Sequence, residues 1–177
     1  EEMRHVAHHD PLTGLPNRRL LDDLLDLELA NAERNHNYLA LLYLDLNRFK
    51  QINDDLGHEV GDEVLRQVAF RLTRRMRAAD LVARIGGDEF NVVLANLPSP
   101  DRVNAAIPAL LSAFKEPFAI GDDILHVSTS IGVSVFPGDA DSADMLRRHA
   151  DIAMYVAKRK GGNQFAFFSP EAHSAVR

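Results

Sequence analysis

The chain has 177 residues, 26 acidic and 20 basic, with a formal net charge of −6 and no cysteine. One self-sufficient core fits this length, and the acidic balance excludes a broad phosphate-neutralising surface of the kind that nucleic-acid binders need. The missing cysteine excludes disulfides, thiolate metal sites and thiol nucleophiles.

No apolar run approaches the roughly 18 residues that span a bilayer, and residues 1–10 carry no signal-peptide pattern. A cytoplasmic setting is expected, with any membrane anchor of a longer protein lying outside this sequence. An acidic chain that binds an anionic substrate needs local help from a metal, a helix N-terminus or a few placed cations.

Residues 1–9 are polar, with Met3 and Val6 close to helical register, and read as the end of an incoming linker helix. Asp10 to Arg18 is dense in turn residues. Leu20, Leu21, Leu24, Leu25 and Leu29 then recur at three- and four-residue steps and predict a helix, ended by Asn35-His36-Asn37. Tyr38 to Leu46 is almost wholly apolar and predicts a strand buried on both faces. Asn47 to Asp55 predicts a short helix or turn closed by Gly57, and about 59–76 a longer helix with Val64, Leu65, Val68, Leu72 and Met76 on one stripe.

Leu81 to Leu94 predicts a hairpin around Gly86-Gly87-Asp88. A third long helix follows at about 101–114. Phe118 to Phe136 reads as a second strand pair turning near Gly121-Asp122-Asp123. A helix over about 142–160 stops at Gly161-Gly162-Asn163, and Phe165 to Phe168 predicts a last short strand. Hairpins require antiparallel pairs, so the expected fold is α/β of the α+β kind: a mixed central sheet flanked by helices, with a ferredoxin-like βαββαβ core.

Three clusters stand out chemically. Asp45 ends an apolar strand, where it either caps the following segment or binds a ligand, since a carboxylate is costly to bury alone. Gly86 and Gly87 suit a tight turn, and Asp88 and Glu89 leave that turn in different directions. If the hairpin lies beside Asp45, carboxylates from two strands converge as in a hard-cation site that shares its ion with substrate phosphates. Lys50, Asn53, His58 and Asp62 form the third cluster. Asn53 and Asp62 are either helix caps or a donor–acceptor pair matched to a guanine edge, and Lys50 with the amides before it suits phosphate at a helix start. Arg77 and Asp80 suit a helix end and the turn after it, or a guanidinium grip on phosphate or guanine. Lys158 suits the dipole of its helix or reaches a terminal phosphate. No histidine pattern has metal-ligand spacing, and neither a Ser–His–Asp set nor a P-loop is present.

Gly86-Gly87-Asp88-Glu89-Phe90 resembles the signature of the GGDEF family, the diguanylate cyclases. The resemblance extends through Asp10 to Arg18, Asp45 to Asp54, Gly57 to Asp62, Ser130 to Val133 and Ala153 to Lys158, in family order from about residue 8 to 168. It implies a nucleotidyl-cyclase-like sheet and the condensation of two GTP into cyclic di-GMP with release of two pyrophosphates. It implies Mg²⁺ or Mn²⁺ held by Asp45, the Leu46 carbonyl and Asp88, with Glu89 assisting deprotonation of the 3′-hydroxyl or adding coordination. By the same resemblance Asn53 and Asp62 read guanine near His58. Lys50, Lys158 and the amides of Arg48 and Phe49 hold phosphates beside Gly86 and Gly87. Arg77 and Asp80 match the family's RxxD site for inhibitory product. Two such domains must meet face to face, so each chain is half an active site.

Two positions depart from the family pattern. Asn47 stands where many members carry a second Asp, and Gly162 stands where many carry an Arg. Loss of that cation weakens the expected grip on the γ-phosphate. Residues 10–168 are expected to form the domain, and 169–177 resemble a link toward a downstream EAL phosphodiesterase domain. The alternatives to a working cyclase are a GTP-binding regulatory domain that controls an attached phosphodiesterase, and a cyclic di-GMP receptor.

Overall fold

The computed structural model describes residues 7–170. The expectations for the outer parts of the two linkers, residues 1–6 and 171–177, lie outside the described residues. Helix α1 (Arg18–Asn35) starts at Asn17, whose side chain accepts from the Leu20 amide, and ends at His36 in the left-handed conformation. It buries Leu21, Leu25, Leu29 and Ala32, one stripe at helical spacing. Strand β1 (Tyr38–Leu46) is buried along its whole length after the first residue. Helices α2 (Phe49–Leu56) and α3 (His58–Arg74) follow, separated only by Gly57. Strands β2 (Leu81–Gly86) and β3 (Glu89–Leu97) form the expected hairpin, and α4 (Asp101–Ser112) follows it.

The remaining elements are β4 (Phe118–Ile120), β5 (Asp123–Leu125), β6 (Thr129–Phe136), α5 (Ala143–Lys160) and β7 (Gln164–Phe167). The main sheet has the order β2-β3-β1-β6-β7. β1 is antiparallel to both neighbours, whereas β6 and β7 are parallel. The mixed sheet flanked by helices therefore matches the expected class.

One expectation is corrected. Phe118 to Phe136 holds three strands, not a pair: β4 and β5 form a separate two-stranded sheet, and β6 leaves it to pair with β1. The turn at Gly121-Asp122 was legible, but β4 is short and its Phe118 and Ile120 are buried with the α3 and α4 core, not in the main sheet.

The pleat of β1 divides the core. Ala40, Leu42, Leu44 and Leu46 pack toward α3 and α4, while Leu39, Leu41 and Tyr43 pack toward α1 and α5. Each such leucine contributes about 1.5–3 kcal/mol by burial. The strand is thus held firmly enough to carry a carboxylate at its buried end. Asp45 continues the odd-numbered series, which sends it to the α5 side.

Candidate active site

Asp45 is only 8% exposed. Its Oδ2 accepts from Lys158 Nζ at 2.7 Å, while its Oδ1 is buried with no hydrogen-bond partner. Lys158 sits in the last turn of α5, so this pair ties the helix end to the strand end. The β1–β3 register sets Glu89 directly opposite Asp45, and the Leu46 amide donates to the Asp88 carbonyl at 3.2 Å. The acidic turn therefore lies against the end of the first strand, as the sequence predicts.

Burial, then the neighbouring Asp45 charge, pushes the Asp88 carboxyl up to about 6, partly offset by Lys158. Asp151, one α5 turn earlier than Tyr155, is also raised, by burial and by Asp45. Glu89 has a different partner: its Oε1 accepts from the Tyr43 hydroxyl at 2.9 Å. Burial and then that bond raise the Tyr43 phenol well above its ordinary range, so Tyr43 stays a neutral donor that orients Glu89. Tyr43 carried no signal in the sequence beyond its place on the Asp45 side of the strand.

The hairpin is held from outside the sheet. Arg84 donates to the Gly87 carbonyl through Nε at 3.0 Å and Nη2 at 2.8 Å, and through Nη1 to Asp10 Oδ1 at 2.9 Å. Asp10 Oδ2 in turn accepts from the Thr13 amide and hydroxyl. The turn-rich segment at the start of the domain therefore anchors the acidic tip. Both Asp10 and Arg84 are mostly shielded from solvent, which makes this pair less screened than an ordinary surface bridge.

These donors suit a hard divalent cation. Among the described residues no three His, Cys, Asp or Glu side chains form a metal cage. The set offered is two carboxylates and the Leu46 carbonyl, all oxygen. Mg²⁺ favours such a partial set because it keeps waters and substrate phosphates in its remaining positions. The unpartnered Asp45 Oδ1 beside a like-charged Asp88 is the observation that fits the ion.

Asn47 bridges three segments. Its Nδ2 donates to Ser128 Oγ and to the Gly162 carbonyl, each at 2.9 Å, and its Oδ1 accepts from Ser130 Oγ at 2.9 Å. A carboxylate at this position would lose both donations. The two departures from the family pattern thus touch one another: the amide at 47 holds the backbone of the glycine at 162.

Asn53 lies over Gly61 at the α2–α3 crossing. A Cβ at Gly61 would stand 1.8 Å from Asn53 Oδ1, and that oxygen is buried without a partner. Asp62 follows Gly61 and is half-buried. The unpartnered amide oxygen of Asn53 and a half-buried carboxylate from the next helix are groups of the kind that complement a purine edge offering both donors and acceptors. Replacing Gly61 by Ala is therefore expected to displace Asn53. Calorimetry should show guanine-nucleotide affinity falling about tenfold, the scale of one or two lost hydrogen bonds, with little change in melting temperature. Unchanged affinity would remove Asn53 from the pocket.

Of the expected phosphate ligands, Arg48 and Lys158 line one cavity, whereas Lys50 is outside its lining. Lys50 is exposed on α2 one turn before Asn53, whereas Lys158 is engaged by Asp45. Arg48 holds φ 58 at the start of α2 and gives no side-chain cap, so the first amides of that helix, Phe49 included, stay open for an anion. His58 is exposed at the first turn of α3, and Gly86 and Gly87 form the hairpin tip. Arg77 folds onto Asp80 with a bidentate contact, Nη2 to Oδ1 at 2.7 Å and Nε to Oδ2 at 3.1 Å, and Nη2 also donates to the Ala95 carbonyl. The Asp80 side chain is almost fully buried and the Arg77 side chain about half exposed. That leaves one guanidinium edge facing solvent on the opposite side of the β2–β3 hairpin from its acidic tip.

A family model described as "Diguanylate cyclase, GGDEF domain" matches residues 7–164. The diguanylate cyclase TpbB of Pseudomonas aeruginosa is 42% identical over 159 residues, which is 89% of this chain and 37% of that protein. The cyclic di-GMP phosphodiesterase PdeR of Escherichia coli is 38% identical over 176 residues, 99% of this chain and 26% of that protein. The solved GGDEF domain of TpbB superposes with a TM-score of 0.92 at 38% identity, covering 96% of this chain and 99% of that one. The chain thus spans roughly a quarter to two-fifths of the two full-length relatives.

Proposed function

The chain belongs to the GGDEF family of diguanylate cyclase domains, and from that premise we propose that it condenses two GTP molecules into cyclic di-GMP and two pyrophosphates across a pair of face-to-face domains. The observation that carries this reading is the convergence of Asp45, the Leu46 carbonyl and Asp88 at one strand end, with a buried carboxylate oxygen left unpartnered. Asp45, Leu46 and Asp88 would hold Mg²⁺ or Mn²⁺, which when bound neutralises phosphate charge and acidifies a coordinated hydroxyl. Asn53 and Asp62 bind the guanine and fix the nucleotide's orientation. The open amides at Arg48 and Phe49 receive phosphate oxygens. Glu89, steadied by Tyr43, takes the proton from the 3′-hydroxyl, while oxygen–phosphorus bond formation expels pyrophosphate from the α-phosphorus of the facing nucleotide.

Arg77 and Asp80 serve as a separate product site in this reading. The remaining guanidinium edge of Arg77 faces solvent and can take a guanine or phosphate acceptor. An upstream sensor and a downstream phosphodiesterase domain are proposed as partners in a longer protein, since the matched relatives extend well beyond this chain.

The test is an incubation with GTP and Mg²⁺ over a range of chain concentrations, with product analysis. Cyclic di-GMP should form at a rate that rises more steeply than the first power of chain concentration. Arg77→Ala should relieve late-stage slowing as product accumulates and leave the initial rate within about twofold. GTP binding without any cyclic product, even at high concentration, would favour the regulatory-domain reading, which the absence of a cation at Gly162 supports.

A further inference from the structure

A cavity of about 970 Å³ opens between the start of α2 and the end of α5, lined by Asn47, Arg48, Lys115, His126, Lys158 and Gly162 among others, and Lys158 links it to the strand-end carboxylate of Asp45. Its fixed charges are three cations, Arg48, Lys115 and Lys158, against one acid, Asp55. This is an unusual local balance in a chain of net charge −6. Lys158 is held by Asp45 at 2.7 Å, so its charge is already shared. Arg48 and Lys115 are exposed side chains with no ion-pair partner among the described residues. Gly162 contributes only backbone to the wall, and its carbonyl is turned to Asn47. A Cβ built there meets nothing within 4 Å.

The open amides at the start of α2 lie on the rim of the same cavity, through Arg48. On the GTP-binding reading, a nucleotide whose inner phosphates rest on those amides would reach this cationic space with its outermost phosphate. We infer that Arg48 and Lys115 together form the terminal-phosphate subsite of this domain, replacing a side chain at position 162. The inference rests on the GTP-binding reading above and adds to it the residues that distinguish a triphosphate from a diphosphate. Lys115 comes from the turn after α4 and Arg48 from the start of α2, so the subsite joins two segments far apart in sequence and carries no sequence motif.

The experiment measures binding, not turnover. The affinities of guanosine α,β-methylene triphosphate and of GDP are determined by calorimetry with Mg²⁺ for the unmodified chain, Lys115→Ala, Arg48→Gln and the double variant. Triphosphate affinity should fall roughly tenfold per lost cation, the lower range for charged hydrogen bonds at an accessible site. For Lys115→Ala, GDP affinity should stay within about twofold. Gly162→Arg on the Lys115→Ala background should restore much of the triphosphate preference, although φ +69 at that position adds strain. Equal losses for both nucleotides, or no loss for either, would overturn the inference and leave the cyclase reading intact. If the unmodified chain binds neither nucleotide, both readings fail together. Since Lys115 and Arg48 are exposed, melting temperatures should not move, and Lys115→Gln offers a second neutral variant if Lys115→Ala proves unstable.

Discussion

Asp88→Asn is expected to abolish cyclic di-GMP formation and at the same time stabilise the metal-free domain. The loss of activity should be a thousandfold or more, because a divalent-cation site supplies several kcal/mol of transition-state stabilisation and the site as proposed offers the cation only two carboxylates, Asp45 and Asp88. The gain in stability follows from burial and then from the like charge of Asp45, which together raise Asp88 to about 6.

A carboxyl with a folded pKa above its unfolded value favours the native state fully below the unfolded value. It loses that contribution as pH rises through the folded value. The unmodified chain therefore loses stability between about pH 4 and 6 through this group, and the asparagine variant does not. An amide at position 88 also offers a donor to the unpartnered Asp45 Oδ1. Solvent screening at a half-buried site reduces the gain to about 1 kcal/mol. That corresponds to roughly 2–4 °C in Tm for a domain of this size. Thermal unfolding in a chelator should show the difference above pH 6.5 and a much smaller one near pH 4. Mg²⁺ should narrow it by stabilising the unmodified chain alone. A variant less stable at every pH, or one that keeps a tenth of the activity, would remove Asp88 from the role assigned to it.

Such a trade between stability and function explains which parts of the site could be read from sequence. Asp45 was conspicuous because eight neighbours in its strand are apolar or aromatic and it is not. Asp88 and Glu89 were conspicuous because two acids follow two glycines at a hairpin tip. Local contrast of this kind survives in a linear sequence.

Contacts between distant segments do not. Tyr43 and Glu89 are 46 positions apart, Asp10 and Arg84 are 74 apart, and Lys158 and Asp45 are 113 apart. Each of these polar residues is individually ordinary, and only the sheet order β2-β3-β1-β6-β7 brings them together. The same reason governs the fold. Long periodic helices and the central strand were readable to within a few residues. The three-residue β4 and β5 were not, because strands that short carry too few alternations to announce which sheet they join. The role of Asn47 was half legible: its neutrality stood out, but its grip on Ser128, Ser130 and Gly162 needed coordinates.

Mixing the unmodified chain with Asp88→Asn should convert ring synthesis into synthesis of a linear dinucleotide. Cyclic di-GMP contains two phosphodiester links, and each forms when one 3′-oxygen attacks the facing α-phosphorus and one pyrophosphate departs. In the proposed pair each chain activates one of these displacements. The variant keeps Asn53, Gly61 and Asp62, which lie away from the acidic turn on the α2–α3 crossing. It should therefore enter the pair with its nucleotide bound.

One competent half then closes one link and stops, leaving a linear product that still bears a triphosphate. With random two-fold pairing at equal amounts, about a quarter of the pairs are fully competent and about half are mixed. The ring-forming rate at constant total chain should thus fall to about a quarter, with linear dinucleotide as the main new product. If each chain instead completed both displacements alone, the ring rate would fall only to half and no linear product would accumulate. Mass spectrometry of the two guanylate products separates the cases, and the second outcome would refute the division of the reaction between facing acidic turns.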